Sequence, residues 1–89
     1  MIKMEDKFTK NKNIPWRLID NEAIIVDIKE GESIYLNEVA AFIWNSIDGE
    51  NTVKEIIEHI CDNFDIDIET AKKDTFNFLE TLLEKKLIS

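Results

Sequence analysis

Residues 33–49, with the sequence SIYLNEVAAFIWNSIDG, constrain the fold more than any other part of the chain. The first four residues alternate in polarity, which is typical of a β-strand. Asn37 follows with the chemistry of a helix N-cap, and apolar residues then recur at helical spacing: Val39, Ala40, Ile43, Trp44 and Ile47. Asp48-Gly49 ends this predicted helix. A strand and a helix joined so closely must bury their apolar sides against the same core.

Two further strands are predicted upstream of this segment. Residues 16–19 form the first, directly after Pro15, which is tolerated where a strand starts. Asp20-Asn21 has turn chemistry. Residues 23–28 form the second strand, with Ala23, Ile25 and Asp27 on one face and Ile24, Val26 and Ile28 on the other. Links this short predict an antiparallel meander that ends with the strand at 33–36.

Two more helices are predicted after Gly49. Thr52 and Glu55 form a capping box that opens a helix ending near residue 63. The last helix spans about residues 69–86. The predicted fold class is therefore α+β, a three-stranded antiparallel sheet followed by three helices in a single domain over residues 14–89. Residues 1–13 are polar and are predicted to form a flexible, loosely held arm.

Charge excludes several classes of partner. Eleven basic and nineteen acidic residues leave a net charge of −8. A nucleic-acid interface needs a basic face, and binding to an anionic membrane needs basic residues as well, so neither partner is expected. The chain has no apolar run long enough to span a bilayer, its first residues lack the apolar segment of a signal peptide, and Cys61 is its only cysteine. These features predict a cytoplasmic protein.

Residues able to carry chemistry are scarce. His59 and Cys61 are two residues apart on a predicted helix and point to different sides, and no other His or Cys completes a metal site. The acidic residues around Asp65 and Asp67 lack the spacing and the glycine of an EF-hand loop. No phosphate-binding loop or nucleophile motif is present. We therefore predict no catalytic residues, no metal, no cofactor and no enzymatic activity.

The last predicted helix carries more apolar surface than one core contact requires. One line faces the core and contains Ala71, Thr75, Phe78 and Leu82. A second apolar flank contains Phe76, Leu79 and Leu83, with Lys72 among them. Phe76 and Leu83 either pack on the sheet or the N-terminal arm, or they line a partly open groove for a partner.

The chain resembles the PqqD-like family, also called RiPP recognition elements, which bind the leaders of precursor peptides. The resemblance rests on LNEVAAFIW at residues 36–44, Asp48-Gly49, TVKEII at residues 52–57, and the later residues Phe78, Leu79, Leu82, Leu87 and Ile88. It covers about residues 16–88. It implies a winged-helix-like fold in which the leader adds as a strand to the edge of the third strand. Leader side chains then enter the cleft between that strand and the third helix.

The resemblance implies which residues bind the peptide. The strand edge is formed by Ser33, Ile34, Tyr35 and Leu36, and the cleft wall by Lys72, Thr75, Phe76, Leu79 and Leu83. An edge strand offers unpaired N–H and C=O groups, which a docking peptide can pair. The same exposed edge could pair with a second copy, which would form a homodimer.

The function implied is that of a peptide chaperone. It would hold the leader of a ribosomally synthesised precursor and present the peptide to a tailoring enzyme, for which a radical SAM enzyme is expected. A leader-binding subunit for lasso peptides that acts with a leader peptidase is an alternative. A winged-helix DNA-binding regulator is another alternative, and the net charge of −8 argues against it.

Overall fold

The structure is a computed structural model that describes residues 1–89. Strands β1 (Trp16–Ile19), β2 (Glu22–Asp27) and β3 (Glu32–Leu36) precede helices α1 (Glu38–Ser46), α2 (Val53–Asn63) and α3 (Ile68–Glu84). The sheet is antiparallel with the order β1-β2-β3. The predicted fold class is confirmed, and each predicted element ends within about two residues of its observed bounds, the usual uncertainty of such boundaries.

Side-chain caps start the three helices. Asn37 Oδ1 accepts a hydrogen bond from the Ala40 backbone N–H at 2.9 Å, at the start of α1. Thr52 and Glu55 form the predicted capping box before α2, since each side chain accepts from the other residue's backbone N–H. Asp67 caps α3 by accepting from the Thr70 N–H at 3.2 Å. These caps satisfy backbone donors that have no partner within the helix, so the start of each helix is encoded locally.

The helices cover one face of the sheet. Ala23, Ile25 and Asp27 of β2 point towards them and are buried, whereas Val26 points to the opposite, outer face. Trp44 of α1 lies fully buried beneath the sheet, and its ring meets that of Trp16 edge-on at a centroid distance of 5.9 Å. The core therefore sits between the sheet and the three helices, with β3 at one edge of the sheet.

Residues 1–13 pack along the domain. The Phe8 carbonyl accepts from the Gly49 N–H, and Thr9 and Ser89 exchange two backbone hydrogen bonds of 2.9 and 3.0 Å. Ile2, Met4 and Phe8 are half-buried against the core. This packing differs from the loosely held arm that the sequence predicts. The alternation of apolar and polar residues explains it, since every second side chain faces inward.

Lys10 holds the arm to the centre of the domain. Its Nζ donates to the Ile47 carbonyl at 2.6 Å and lies 5.2 and 5.3 Å from the ring centroids of Trp16 and Trp44. An ammonium this close to aromatic faces is attracted by their negative charge density. Burial lowers the pKa of Lys10 from its ordinary value of 10.5, and the Asp48 carboxylate opposes that shift. The arm is thus anchored by a partly desolvated cation.

Candidate functional site

The backbone of β3 is paired on one side only. The Val26 N–H donates to the Pro15 carbonyl at 2.9 Å, so the backbone groups of Val26 face β1. Because these groups alternate along a strand, those of Ile25 and Asp27 face β3. Ser33 lies opposite Val26, and Tyr35 lies opposite Ile24. The N–H and C=O groups of Ser33 and Tyr35 therefore point away from β2.

The outward edge of β3 has no backbone partner within the chain. None of the 17 backbone hydrogen bonds outside the helices and strands involves any residue of β3. Two N–H and two C=O groups, those of Ser33 and Tyr35, are thus free to pair with another strand. An unpaired edge of this kind is a template for strand addition.

The side chains of β3 divide between two faces. Ser33 and Tyr35 are exposed on the outer face of the sheet, where Tyr35 retains 62% exposure. Ile34 is half-buried and points towards the helices, while Leu36 is only 2% exposed and belongs to the core. Of the four edge residues predicted from the sequence, Leu36 thus has no side-chain surface to offer a peptide.

Two contacts show which flank of α3 lies beside β3. Phe78, with Asp74 and Asn77, borders a groove that is completed by Val39 and other residues at the start of α1, just beyond the end of β3. At the other end of the strand, Lys85 Nζ is 2.9 Å from Glu32 Oε1, and this carboxylate raises the pKa of Lys85. The flank that carries Asp74, Phe78 and Lys85 therefore faces β3. We call the space between this flank and the strand the β3–α3 cleft.

The structure does not bring the predicted cleft wall to β3. Thr75 and Leu79 have 0% exposure, so they lie in the core beneath the helix. Lys72, Phe76 and Leu83 lie on the opposite flank of α3, because helical rotation separates them from Phe78 by well over a quarter turn. Leu83 instead borders a depression that it shares with Ile2 and Phe8 of the arm. For Leu83 the structure favours packing on the arm.

The residues that line the β3–α3 cleft were mostly missed by sequence reasoning. Val39, Ala40 and Phe78 are half-buried and line the groove at the end of β3, half-buried Ile34 lies on the helix-facing side of that strand, and Asp74 and Lys85 are the charged residues on the facing flank. Helical spacing alone predicts Phe78 to lie on the core line of α3. Its neighbours at i−4 and i+7, Asp74 and Lys85, are charged. An aromatic residue on a charged flank of the helix is the sequence signal that could have placed Phe78 at the cleft.

The only histidine and the only cysteine of the chain lie on α2, outside the cleft. No cluster of three or more His, Cys, Asp or Glu side chains in residues 1–89 has a geometry suited to a metal ion. His59 is exposed on α2, and Cys61 is half-buried. None of the helices has the length and apolar character needed to cross a bilayer. The arrangement offers backbone pairing and an apolar cleft.

The outer face of the sheet is uncovered and carries exposed apolar side chains among polar ones. Ile19, Val26 and Tyr35 are 47%, 37% and 62% exposed, one from each strand. The buried face of β2 is made by Ala23, Ile25 and Asp27, so the more apolar face of that strand is the exposed one. A strand added to β3 would extend this surface.

Comparison with known proteins identifies the fold and the family. Solved structures that share the fold include "TbiB1 in Complex with the TbiA(beta) Leader Peptide", at 25% identity and a TM-score of 0.79 over 91% of this chain and 94% of that one. Lasso peptide synthetase B1 complexed with the leader peptide is 18% identical, with a TM-score of 0.80 over 94% and 99% of the two chains.

A third solved structure is the PqqD truncation of Methylobacterium extorquens PqqCD, described as a functional and stand-alone RiPP recognition element. It is 19% identical, with a TM-score of 0.79 over 100% of this chain and 95% of that one. A search of curated protein sequences returned no significant match. The sequence model of the family described as Coenzyme PQQ synthesis protein D (PqqD) matches residues 22–88. Because this match extends over well more than half of the chain, the protein belongs to the PqqD family.

Proposed function

We propose that this protein binds the leader of a ribosomally synthesised precursor peptide by strand addition to β3 and presents the peptide to a tailoring enzyme. The single observation that carries this proposal is the free edge formed by Ser33 and Tyr35. Their outward N–H and C=O groups have no partner in the chain. Membership of the PqqD family, and the same fold in two proteins solved with leader peptides, support the assignment.

Affinity and selectivity come from different parts of the site. Each ladder hydrogen bond contributes about 0.5–1.5 kcal/mol whatever the peptide sequence. Alternate side chains of an added strand point into the β3–α3 cleft, where apolar residues would pack against Ile34, Val39 and Phe78. The strand edge therefore supplies general affinity, and the cleft selects leaders with apolar residues at every second position.

The partner that receives the bound peptide is an enzyme, for which a radical SAM enzyme is the leading candidate. This chain would supply the recognition of the peptide. The exposed outer face of the sheet, with Ile19, Val26 and Tyr35, would be available for such an enzyme.

Two proline variants test strand addition. Tyr35→Pro removes an outward N–H and places the proline ring against an incoming strand, but it leaves the bonds to β2 in place. We expect it to weaken binding of the leader of a precursor encoded beside this gene by at least tenfold, measured by calorimetry, with the domain still folded. Ile34→Pro is the matched control, because it removes a bond to β2 and should destabilise the domain instead. Unchanged affinity in Tyr35→Pro would contradict strand addition.

A leader-binding subunit for lasso peptides is the second candidate. The observation that favours it is the TM-score of 0.80 to lasso peptide synthetase B1 complexed with the leader peptide. The two candidates differ in the enzyme that acts on the bound precursor peptide. If the lasso candidate is correct, this protein will accelerate leader removal when it is added to the leader peptidase and precursor encoded beside it. No acceleration, together with stimulation of a neighbouring radical SAM enzyme, would favour the first candidate.

A further inference from the structure

A cavity lies at the end of the sheet where β2 turns into β3. It has a volume of about 390 Å³, and its wall includes Asp27 together with four lysines, Lys12, Lys29, Lys85 and Lys86. The chain has only eleven basic residues and a net charge of −8, so this cavity concentrates more than a third of its cations. We call it the lysine cavity.

Three of the four lysines of the lysine cavity, and one carboxylate oxygen of Asp27, have no partner in the chain. The one ion pair in the structure joins Lys85 to Glu32, so Lys12, Lys29 and Lys86 have no carboxylate within 4.0 Å. Asp27 is 4% exposed, and its Oδ1 accepts from the Glu30 N–H at 3.4 Å. Its buried Oδ2 has no hydrogen-bond partner. The cavity thus combines uncompensated cations with one uncompensated buried acceptor.

The lysine cavity is linked to β3 only through Lys85, since none of the residues that line it belongs to that strand. A second depression shares Asp27, Lys29, Lys85 and Lys86 with it and is also lined by Glu30 and Glu84. Lys85 also bonds Glu32, the first residue of β3. A peptide that leaves the strand edge at Glu32 would have to pass the Lys85–Glu32 ion pair to reach the lysine cavity. The two glutamates lie outside the cavity itself and leave its wall with three more cations than anions.

We propose that the lysine cavity binds an acidic segment of peptide that adjoins the segment paired with β3, and this inference rests on the proposed function. Carboxylates of the segment would accept from Lys12, Lys29 and Lys86, and a backbone N–H would donate to Asp27 Oδ2. A simple anion could satisfy only the lysines. A precursor recognised by this protein therefore carries Asp or Glu next to its apolar docking strand, at the end that lies beside Glu32.

The test is an NMR titration of the labelled protein with acetyl-triglutamate amide. We expect saturable shifts of the Asp27, Lys29 and Lys86 amides, and at least fivefold weaker binding in the double variant Lys29→Gln/Lys86→Gln. The control Lys72→Gln/Lys73→Gln removes the same charge from exposed positions on α3 and should bind within twofold of the unmodified protein. If triglutamate binding weakens equally in both variants, net charge alone explains the effect and the proposal is overturned. Sodium acetate producing the same saturation at similar concentration would also overturn the proposal.

One more experiment separates this inference from the proposed function. Tyr35→Pro disables the strand edge and leaves the cavity lysines unchanged, so triglutamate binding should survive in it. If leader binding also survives in Tyr35→Pro, strand addition fails while the cavity site stands. If the leader loses no affinity when its acidic residues are replaced by the corresponding amides, the cavity assignment fails while strand addition stands.

Discussion

Phe78 and Phe76 are two residues apart on α3 but project from opposite flanks of the helix, separated by about 200° of rotation. Both side chains are half-buried. Phe78 lies beside Val39 in the groove next to the end of β3, whereas Phe76 lies on the flank turned away from that strand. One aromatic residue is therefore placed to meet a peptide on β3, and the other is not.

This relationship predicts opposite outcomes for one chemical change. Phe78→Ser should weaken leader binding by about tenfold or more, which corresponds to about 1.4 kcal/mol, because it removes apolar surface from the cleft. Phe76→Ser should leave the affinity for the leader within about twofold. It should lower the free energy of unfolding by about 1.4 kcal/mol, because it removes a half-buried apolar side chain. Calorimetry and denaturant unfolding of both variants measure the two effects. If Phe76→Ser loses more affinity than Phe78→Ser, the peptide binds on the flank of α3 that carries Phe76.

Gly49 is required by two independent features. Its φ of +81° favours glycine, and an added Cβ would lie 2.9 Å from Thr9 Cγ2 in the arm. Gly49→Ala should therefore lower the free energy of unfolding by about 1–3 kcal/mol. In a Thr9→Ala background the cost should fall, because the methyl group that causes the clash is gone while the backbone strain stays. Denaturant unfolding of the four proteins measures this coupling, and an identical cost in both backgrounds would exclude the contact.

Lys10 predicts a particular dependence of stability on pH. Burial lowers its pKa in the folded protein below the ordinary value of 10.5, so between these two values the folded state binds fewer protons than the unfolded state. Stability contributed by Lys10 is therefore smaller at neutral pH and rises as the pH approaches 10.5. The stability difference between the unmodified protein and Lys10→Gln should increase over that range.

Urea unfolding at pH 8 and pH 10, followed by tryptophan fluorescence, checks this difference. The comparison with the variant is needed because Lys85 and Tyr35 have raised pKa values and also titrate at alkaline pH. Glutamine retains a donor for the Ile47 carbonyl but carries no charge. A difference that falls with rising pH would show that the cation is stabilised by the two tryptophans and not desolvated overall.

Packing of residues 1–13 predicts slow hydrogen exchange at selected amides. The N–H groups of Thr9 and Asn11 donate to Ser89 and Leu87, whereas Lys12 has no such acceptor. Thr9 and Asn11 should exchange at least tenfold more slowly than Lys12 after correction for sequence effects. NMR-detected exchange measures the three rates. Equally fast exchange at all three amides would support the flexible arm that the sequence predicts.

Much of this fold follows from short-range patterns in the chain. Alternation identified β3, Pro15 and the turn residues Asp20-Asn21 bounded β1 and β2, and the caps at Asn37 and Thr52 identified the starts of two helices. The burial of Trp44 followed from its position on the apolar face of α1. Each of these features depends on residues within a few positions of one another, because strand pleating, helical spacing and N-capping are local interactions.

The elements, their order and an antiparallel meander that ends at β3 therefore follow from local residue patterns. Tertiary structure decided which flank of α3 faces β3, since both flanks carry a phenylalanine and the choice depends on the contact of Phe78 with α1 and of Lys85 with Glu32. Tertiary structure also decided that residues 1–13 pack against Gly49 and the C-terminal residues. Helix rotation and arm docking are set by contacts between residues far apart in sequence, which no local periodicity encodes.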